Sequence, residues 1–261
     1  MVDRFLLLSG CSIYIPQIKI KLHQPKLKEI AKIGEQYFFM GCELLNFSKN
    51  NIVLEDKTDL EDKTNFDIIL SIMTDPSHKD NISYQKTRIG GILVLLCICS
   101  NYTVTLKGDY ILLEDKKTQE QIKLDNDNYE IFLDVVKKMF CLDERKKDIE
   151  YKPQGTLGNR IWNKLKKGRK KVEEQKIQQK KLLEDSSVLA NDVSILACGK
   201  KIPIEYIYKK YTLYQFFDEF KRFQMKMNYD YYVEAKIVGA KGMKEVPHWF
   251  VDIRDNEENN T

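Results

Sequence analysis

Apolar and polar residues alternate near the start of the chain, over residues 12–23. The alternation is clearest in five consecutive residues: Ile18, Lys19, Ile20, Lys21 and Leu22. A period of two places alternate side chains on the same face of an extended segment. The pattern therefore predicts a half-buried strand over 12–23, with Pro16 near its beginning.

The period changes after Gln24. Apolar residues then recur at helical intervals: Leu27, Ile30, Ile33 and Tyr37. This spacing predicts a helix with one apolar face, and Pro25 suits its first position. Gly34 falls inside the predicted helix, where it lowers helix propensity but permits close packing.

The middle of the chain predicts both helices and a β-meander. The segment Phe66–Met73 is short and apolar, and a buried helix is expected over 83–99. Three short segments at 102–106, 110–113 and 121–124 predict antiparallel strands. Residues 107–109 are expected to form the turn between the first two strands.

A further helix is expected after the meander. Asp127 or Asn128 is expected to cap its N-terminus. Four residues form its apolar face: Ile131, Val135, Val136 and Met139. Residues 142–155 are polar and predict a boundary after this helix.

The C-terminal segment has the clearest local pattern. Thr212 and Gln215 have the spacing of a capping box at a helix N-terminus. One broad apolar stripe follows: Leu213, Phe216, Phe217, Phe220, Phe223 and Met227. A second helix is predicted over 229–238 and would be closed by Gly239.

The predicted fold class is α+β and mostly helical. An N-terminal domain with a small antiparallel β-meander precedes a long basic helix and a C-terminal helical hairpin. The predicted boundaries are these: an α+β domain at 1–150, a basic helical connector at 151–199, a helical hairpin at 200–253 and a frayed acidic tail at 254–261.

The charge is unevenly distributed. The whole chain has a net charge of +4, but residues 160–181 hold ten basic and two acidic residues. This segment therefore has a net charge of +8, and the rest of the chain −4. Its proposed contact residues are Arg160, Lys164, Lys166, Lys167, Arg169, Lys170 and Lys171. Three interpretations stay open: a solvated connector, an arm for an acidic partner protein, and a nucleic-acid-binding helix with salt-dependent affinity.

Aromatic residues crowd the region after 206. The stripe residues keep helical spacing, which is typical of a helical core. The other aromatic residues are the better candidates for a partner-binding surface, because Tyr and Trp anchor protein interfaces. The candidates are Tyr208, Tyr211, Tyr214, Tyr231 and Trp249.

Sequence motifs give no argument for an enzyme. There is no Gly-x-Ser-x-Gly nucleophile motif and no phosphate-binding glycine loop. The three histidines lie far apart, and no cysteines form a CxxC pair, so neither a metal nor a cofactor is expected. Most of the six cysteines are expected to be buried thiols.

No membrane contact is expected either. The longest apolar run, Ile89–Cys99, is interrupted by two glycines and is too short to cross a bilayer. The run Phe5–Leu8 is too short for the core of a signal peptide and has no basic leader. We therefore expect a cytoplasmic protein.

Several segments carry a family resemblance. They are Ile18–Phe38, Gly158–Arg169 and Tyr211–Met225, followed by Tyr229–Tyr231 and His248–Phe250. In this order they resemble tail-module proteins of phages and prophages of low-GC Gram-positive bacteria, some of which are treated as tail assembly chaperones. The resemblance implies no active site.

The resemblance implies a non-enzymatic role in tail assembly. Such a chaperone would keep a tail tape-measure or tail tube protein soluble during tail morphogenesis. One alternative is a structural tail or baseplate component of the virion. The other is a nucleic-acid-binding protein that uses the basic helix 160–181.

Overall fold

The computed structural model describes residues 2–49, 63–76, 81–142, 188–239, 246 and 248–250. Within them lie nine α-helices: α1 (Arg4–Ser9), α2 (Leu27–Ile33), α3 (Glu35–Leu45), α4 (Asn65–Thr74), α5 (Ile82–Ile98), α6 (Tyr129–Phe140), α7 (Val188–Lys200), α8 (Ile204–Lys210) and α9 (Leu213–Ile237). Five strands form two sheets: β1 (Ile13–Ile15), β2 (Ile20–Leu22), β3 (Tyr102–Leu106), β4 (Ile111–Asp115) and β5 (Gln121–Leu124). The predicted class, α+β and mostly helical, is confirmed for the described residues.

The strand predicted over 12–23 is in fact a hairpin. Strands β1 and β2 pair antiparallel, with Ile15 opposite Ile20. Pro16 has a fixed φ and no N–H group, and Lys19 turns the chain with a φ of 54°. The predicted alternation of buried and exposed side chains is nevertheless correct, because Ile20 and Leu22 are buried while Lys19 and Lys21 are exposed.

The helix predicted from Pro25 through Tyr37 is two helices. Gly34 separates α2 from α3 with φ 92° and ψ 130°, a conformation that side chains with a Cβ rarely adopt. The first helix begins after Lys26 rather than at Pro25. Its start is stabilised by the Glu29 carboxylate, which accepts a hydrogen bond from the Lys26 N–H at 2.7 Å.

Glycines bring α3 and α5 into close contact. A Cβ on Gly90 would lie 2.2 Å from the Tyr37 carbonyl oxygen, and one on Gly41 would lie 2.3 Å from the Gly90 carbonyl oxygen. Neither backbone could move away without displacing its helix. These two helices therefore form the tightest part of the core.

The predicted β-meander and the predicted helix 83–99 are confirmed. Strand β4 pairs with both β3 and β5, and the Lys107 N–H donates to the Tyr110 carbonyl oxygen at the first turn. The Tyr102 hydroxyl accepts a hydrogen bond from the Lys21 N–H at 2.8 Å. This bond links the meander to the N-terminal hairpin.

Helix α6 completes the core but not with the predicted face. Val135, Val136 and Met139 are buried as expected, whereas Ile131 is exposed. The buried Tyr129 hydroxyl donates to the Leu45 carbonyl oxygen at 2.8 Å. The helix is therefore rotated so that its aromatic residues, rather than Ile131, face α3 and α4.

The C-terminal region is helical as predicted, but one detail differs. The segments predicted as separate helices form the single helix α9, because nothing at 228–229 breaks it and a Lys226–Asp230 ion pair at 2.6 Å spans that point. Gly199 lies within α7. A Cβ there would lie 2.1 Å from the Phe223 ring. Gly239 follows α9 with a φ of 87°, as expected of a closing glycine.

The described residues of 1–142 and 195–261 belong to one compact unit, and those of 143–194 to a second. Most of the predicted connector and the acidic tail lie outside the described residues, so the boundary at 150–151 stays a prediction.

The expectation that most cysteines are buried is wrong. Cys42 and Cys99 are buried and Cys97 is half-buried, but three others are exposed: Cys11, Cys141 and Cys198. The exposed three lie in loops or on the solvent side of a helix end, away from the apolar stretch that suggested burial.

Candidate partner-binding surface

The start of α9 is fixed to the N-terminal segment by backbone hydrogen bonds. The Leu27 N–H donates to the Tyr211 carbonyl oxygen at 3.0 Å, and the Leu213 N–H donates to the Pro25 carbonyl oxygen at 3.3 Å. Lys26 and Thr212 form the isolated antiparallel bridge between these bonds. The first turns of α2 and α9 therefore support one another.

The predicted capping box is present at this junction. The Thr212 hydroxyl accepts from the Gln215 N–H at 3.3 Å, and the Gln215 side-chain oxygen accepts from the Thr212 N–H at 2.8 Å. The Gln215 amide also donates to the Leu8 carbonyl oxygen at 2.7 Å. Asp218, one turn later, accepts from Arg4 at 2.6 Å. The capping box thus ties α9 to α1 as well as starting the helix.

Burial along α9 ends at Phe220. Leu213, Phe216 and Phe220 are buried, but no side chain from Lys221 to Ile237 is. Tyr231 is 60% exposed. We call the segment Lys221–Ile237 the distal half of α9. It extends for about 25 Å, at 1.5 Å per residue.

Local interactions support the distal half. Asp218 pairs with Arg222 at 3.0 Å and Asp230 pairs with Lys226 at 2.6 Å, both one helical turn apart. Such pairs stabilise a helix by about 0.3–0.5 kcal/mol each. The Lys236 ammonium lies 5.4 Å from the centre of the Tyr232 ring. The helix is therefore held partly by contacts that it makes with itself.

An aromatic cluster lies on the distal half. The His248 ring lies 4.5 Å from that of Tyr229 and 4.4 Å from that of Phe250, and Trp249 lies 4.1 Å from Phe250. We call Tyr229, His248, Trp249 and Phe250 the aromatic cluster. Phe250 is exposed, although aromatic side chains usually bury much of their area.

The structure places the predicted aromatic candidates in two groups. Tyr208, Tyr211 and Tyr214 are half-buried beside the α2–α9 junction. Burial, together with the nearby Tyr206 ring at 6.2 Å, raises the pKa of the Tyr211 hydroxyl. Tyr231 lies about 25 Å further along the helix than Tyr214. The five candidates therefore do not form one continuous surface.

The second group is divided as well. Tyr231 follows Tyr229 by two residues, which places the two side chains about 200° apart around the helix axis. Trp249 belongs to the cluster on the Tyr229 side. Val238, seven residues after Tyr231, shares the Tyr231 face and is 83% exposed. The apolar stripe predicted from the sequence ends at Met227, so it did not include Val238 at the end of the helix.

The predicted basic contact residues cannot be placed. All seven lie outside the described residues: Arg160, Lys164, Lys166, Lys167, Arg169, Lys170 and Lys171. Their role stays a prediction.

Two of the thiols near the core are unreactive. Burial raises the pKa of the Cys97 thiol to about 11 and that of the Cys99 thiol to about 12, so both stay protonated and unreactive near neutral pH. No three metal-binding side chains come together within these residues. Among the same residues, every helix is too short or too polar to span a bilayer.

Comparison with known proteins concerns the C-terminal segment. Residues 178–254 match the family model of the YomV second domain, which is a phage-derived family of Bacillus prophages. No curated protein and no solved structure matches the chain. The matched residues include α7, α8, α9 and the aromatic cluster. They make up less than a third of the chain. The C-terminal segment therefore resembles a phage-related domain.

Proposed function

We propose that this protein is a non-enzymatic phage protein of tail assembly, a chaperone that binds a tail tape-measure or tail tube protein through the distal half of α9. The observation that carries the proposal is that this half buries none of its side chains and presents Tyr231 to solvent, on the same face as the exposed Val238 that directly follows it. An amphipathic helix with an uncovered apolar face is a common docking element for a partner helix.

Three further observations support the proposal. Hydrogen bonds fix the first turns of α9 to α1 and α2, and they hold in place the part of the helix from which the distal half extends. Tyr231 and Val238 are spaced two turns apart, which suits side-by-side contact with a long partner helix. The phage-derived match covers the whole of this helix.

The test is co-expression of the tagged full chain with the tape-measure protein and, separately, with the tube protein encoded with it. We expect the chain to raise the soluble fraction of one of them and to co-purify with it. The double variant Tyr231→Ala with Val238→Ala should lose both effects while keeping its circular dichroism and thermal melting.

A matched control lies on α8. Tyr206 and Ile204 are 51% and 45% exposed and belong to a different helix. Tyr206→Ala with Ile204→Ala should leave co-purification unchanged. Equal loss in both double variants, or no gain in solubility for either partner, would refute the proposal. A stoichiometric amount of the chain in mature virions would instead assign it to the tail or baseplate structure.

The nucleic-acid alternative has its own test. Replacing Lys166, Lys167, Lys170 and Lys171 with Glu should abolish any salt-sensitive binding of DNA or RNA by this chain. Absence of binding by the unmodified chain at about 50 mM salt, where phosphate contacts are strong, excludes this function.

A further inference from the structure

A groove open to solvent lies between the β1–β2 hairpin, the α1 region and α6. Its volume is about 580 Å³. Apolar side chains form most of its lining: Val2, Leu6, Ile13, Tyr14, Ile15, Pro16, Ile131 and Val135. We call it the hairpin groove.

The floor and the rim of the hairpin groove differ. Ile13, Ile15 and Val135 are buried and form the floor. Tyr14 is 55% exposed and Ile131 is 38% exposed, and both line the same groove. Ile131 has the helical spacing of a core residue, yet it faces this groove. An exposed apolar patch with a polar rim often marks a site of interaction with another molecule.

The groove has a preformed shape. The buried Gln24 amide donates to the Cys11 carbonyl oxygen at 2.7 Å and to that of Leu6 at 3.2 Å. Both bonds hold α1 and the following turn beside the hairpin. Binding here would therefore require little rearrangement of the backbone.

The charge on the rim has one sign. Glu130 and Asp134 line the groove from α6, one helical turn apart, and no lining residue is basic. Asp134 pairs with Lys138 at 2.6 Å, whereas Glu130 has no ion pair with any described residue. An apolar floor beside two carboxylates at this spacing complements a helix with apolar residues on one side and Lys or Arg on the flank.

We propose that the hairpin groove binds a basic amphipathic helix of a partner protein. The helix would place apolar side chains over Ile131 and Tyr14 and basic side chains beside Glu130 and Asp134. A small polar ligand fits less well, because the carboxylates lie at an exposed rim and do not converge inside a closed cavity. The groove has no lining residue in common with the surface proposed on α9.

The test uses the full chain and a fluorescent peptide of about 18 residues, long enough to be helical, with Leu on one face and Lys on the other. Fluorescence anisotropy should show saturable binding that weakens with salt. Glu130→Lys with Asp134→Lys should weaken binding roughly tenfold, because two attractive pairs become repulsive. A peptide with Glu in place of Lys should not bind.

Matched controls distinguish binding in the groove from non-specific attraction of the peptide to acidic or exposed apolar residues elsewhere on the protein. Glu205 pairs with Lys209 one turn along α8, as Asp134 does with Lys138, so Glu205→Lys should not change affinity. Ile131→Ser should weaken binding several-fold, while Ile195→Ser, at a 43% exposed position on α7, should not. Circular dichroism of each variant confirms that it is folded.

Three results would overturn the inference. They are no saturable binding by the unmodified chain, equal weakening by the control variants, and no effect of either groove variant. Self-association of the chain that Ile131→Ser abolishes would assign the groove to a second copy of the chain and would also overturn it. The α9 double variant should bind the peptide normally, so failure here is distinguishable from failure of the proposed function.

Discussion

Helix α5 packs five residues between Gly90 and Ile98 into the core, whereas the longer helix α9 buries three and none after Phe220. The glycines of α5 admit the backbone of α3 to within contact distance. The distal half of α9 has aromatic and charged side chains in place of glycines, and its Phe223 ring, rather than its backbone, meets Gly199 of α7. One helix is thus shaped by the interior of the protein, and the other is available to something outside it.

The largest expected effect is at the proximal end of α9. Phe216 is fully buried and stacks on Phe220 at 5.7 Å. Phe216→Ala should lower the free energy of unfolding by about 3–5 kcal/mol, measured by urea denaturation, because it removes a large buried ring. Tyr231→Ala on the same helix should change it by less than about 0.5 kcal/mol. Comparable losses would mean that the distal half is part of the core after all.

The next effect concerns the glycine contact. Gly90→Ala should destabilise the protein by about 3 kcal/mol, since its Cβ would meet the Tyr37 carbonyl oxygen at 2.2 Å and neither helix can yield. Gly108→Ala is the control, because no atom lies within 4 Å of its added Cβ. If Gly90→Ala melts at the temperature of the unmodified chain, α3 and α5 are further apart than described.

A smaller effect is expected where α9 begins. Thr212→Ala removes the hydroxyl that accepts from the Gln215 N–H and should lower the free energy of unfolding by about 1 kcal/mol. Thr87 provides the comparison on α5, because its exposed hydroxyl donates a hydrogen bond to the Ser83 carbonyl oxygen of the preceding turn. Thr87→Ala should be nearly neutral. An equal loss at both positions would show that the capping box contributes nothing of its own.

The smallest effect is a change in acid sensitivity at the start of α2. Burial alone would raise the pKa of Glu29, but the Lys26 N–H and His23, at 3.0 Å, lower it below its ordinary value of 4.5. A carboxyl with a lowered pKa stabilises the folded state above its ordinary pKa, and that contribution is lost as the pH falls through the lowered value.

The measurement is chemical denaturation at a series of pH values. Below about pH 4.5, the unmodified chain should lose stability more steeply than Glu29→Gln, which keeps an acceptor for the Lys26 N–H but cannot be protonated. Parallel pH curves for the two proteins would contradict the assignment.

The features that the sequence predicts well are those that short segments determine alone. The capping box at Thr212 and Gln215, the meander at 102–124 and the helix at 82–98 each follow from local spacing. Burial of Phe216 and Phe220 follows from the same periodicity.

The features that the sequence does not predict depend on backbone angles or distant contacts. Gly34 can continue a helix or break it, and only its positive φ shows which. Ile131 has the spacing of a core residue, but the aromatic residues of α6 occupy the core instead. The candidates on α9 are divided because helix length, not residue type, separates Tyr214 from Tyr231.

The junction between α2 and α9 has a consequence for the order in which the protein acquires its structure. Arg4 and Asp218, which meet beside it, are 214 residues apart in the chain. During synthesis the N-terminal hairpin and α2 leave the ribosome long before the residues that complete them. Contacts of such high sequence separation slow folding because a long loop must close first. The contacts that α1 and α2 make with α9 therefore form late, and a chain that ended before Tyr211 would leave the Leu27 N–H and the Pro25 carbonyl oxygen without these partners.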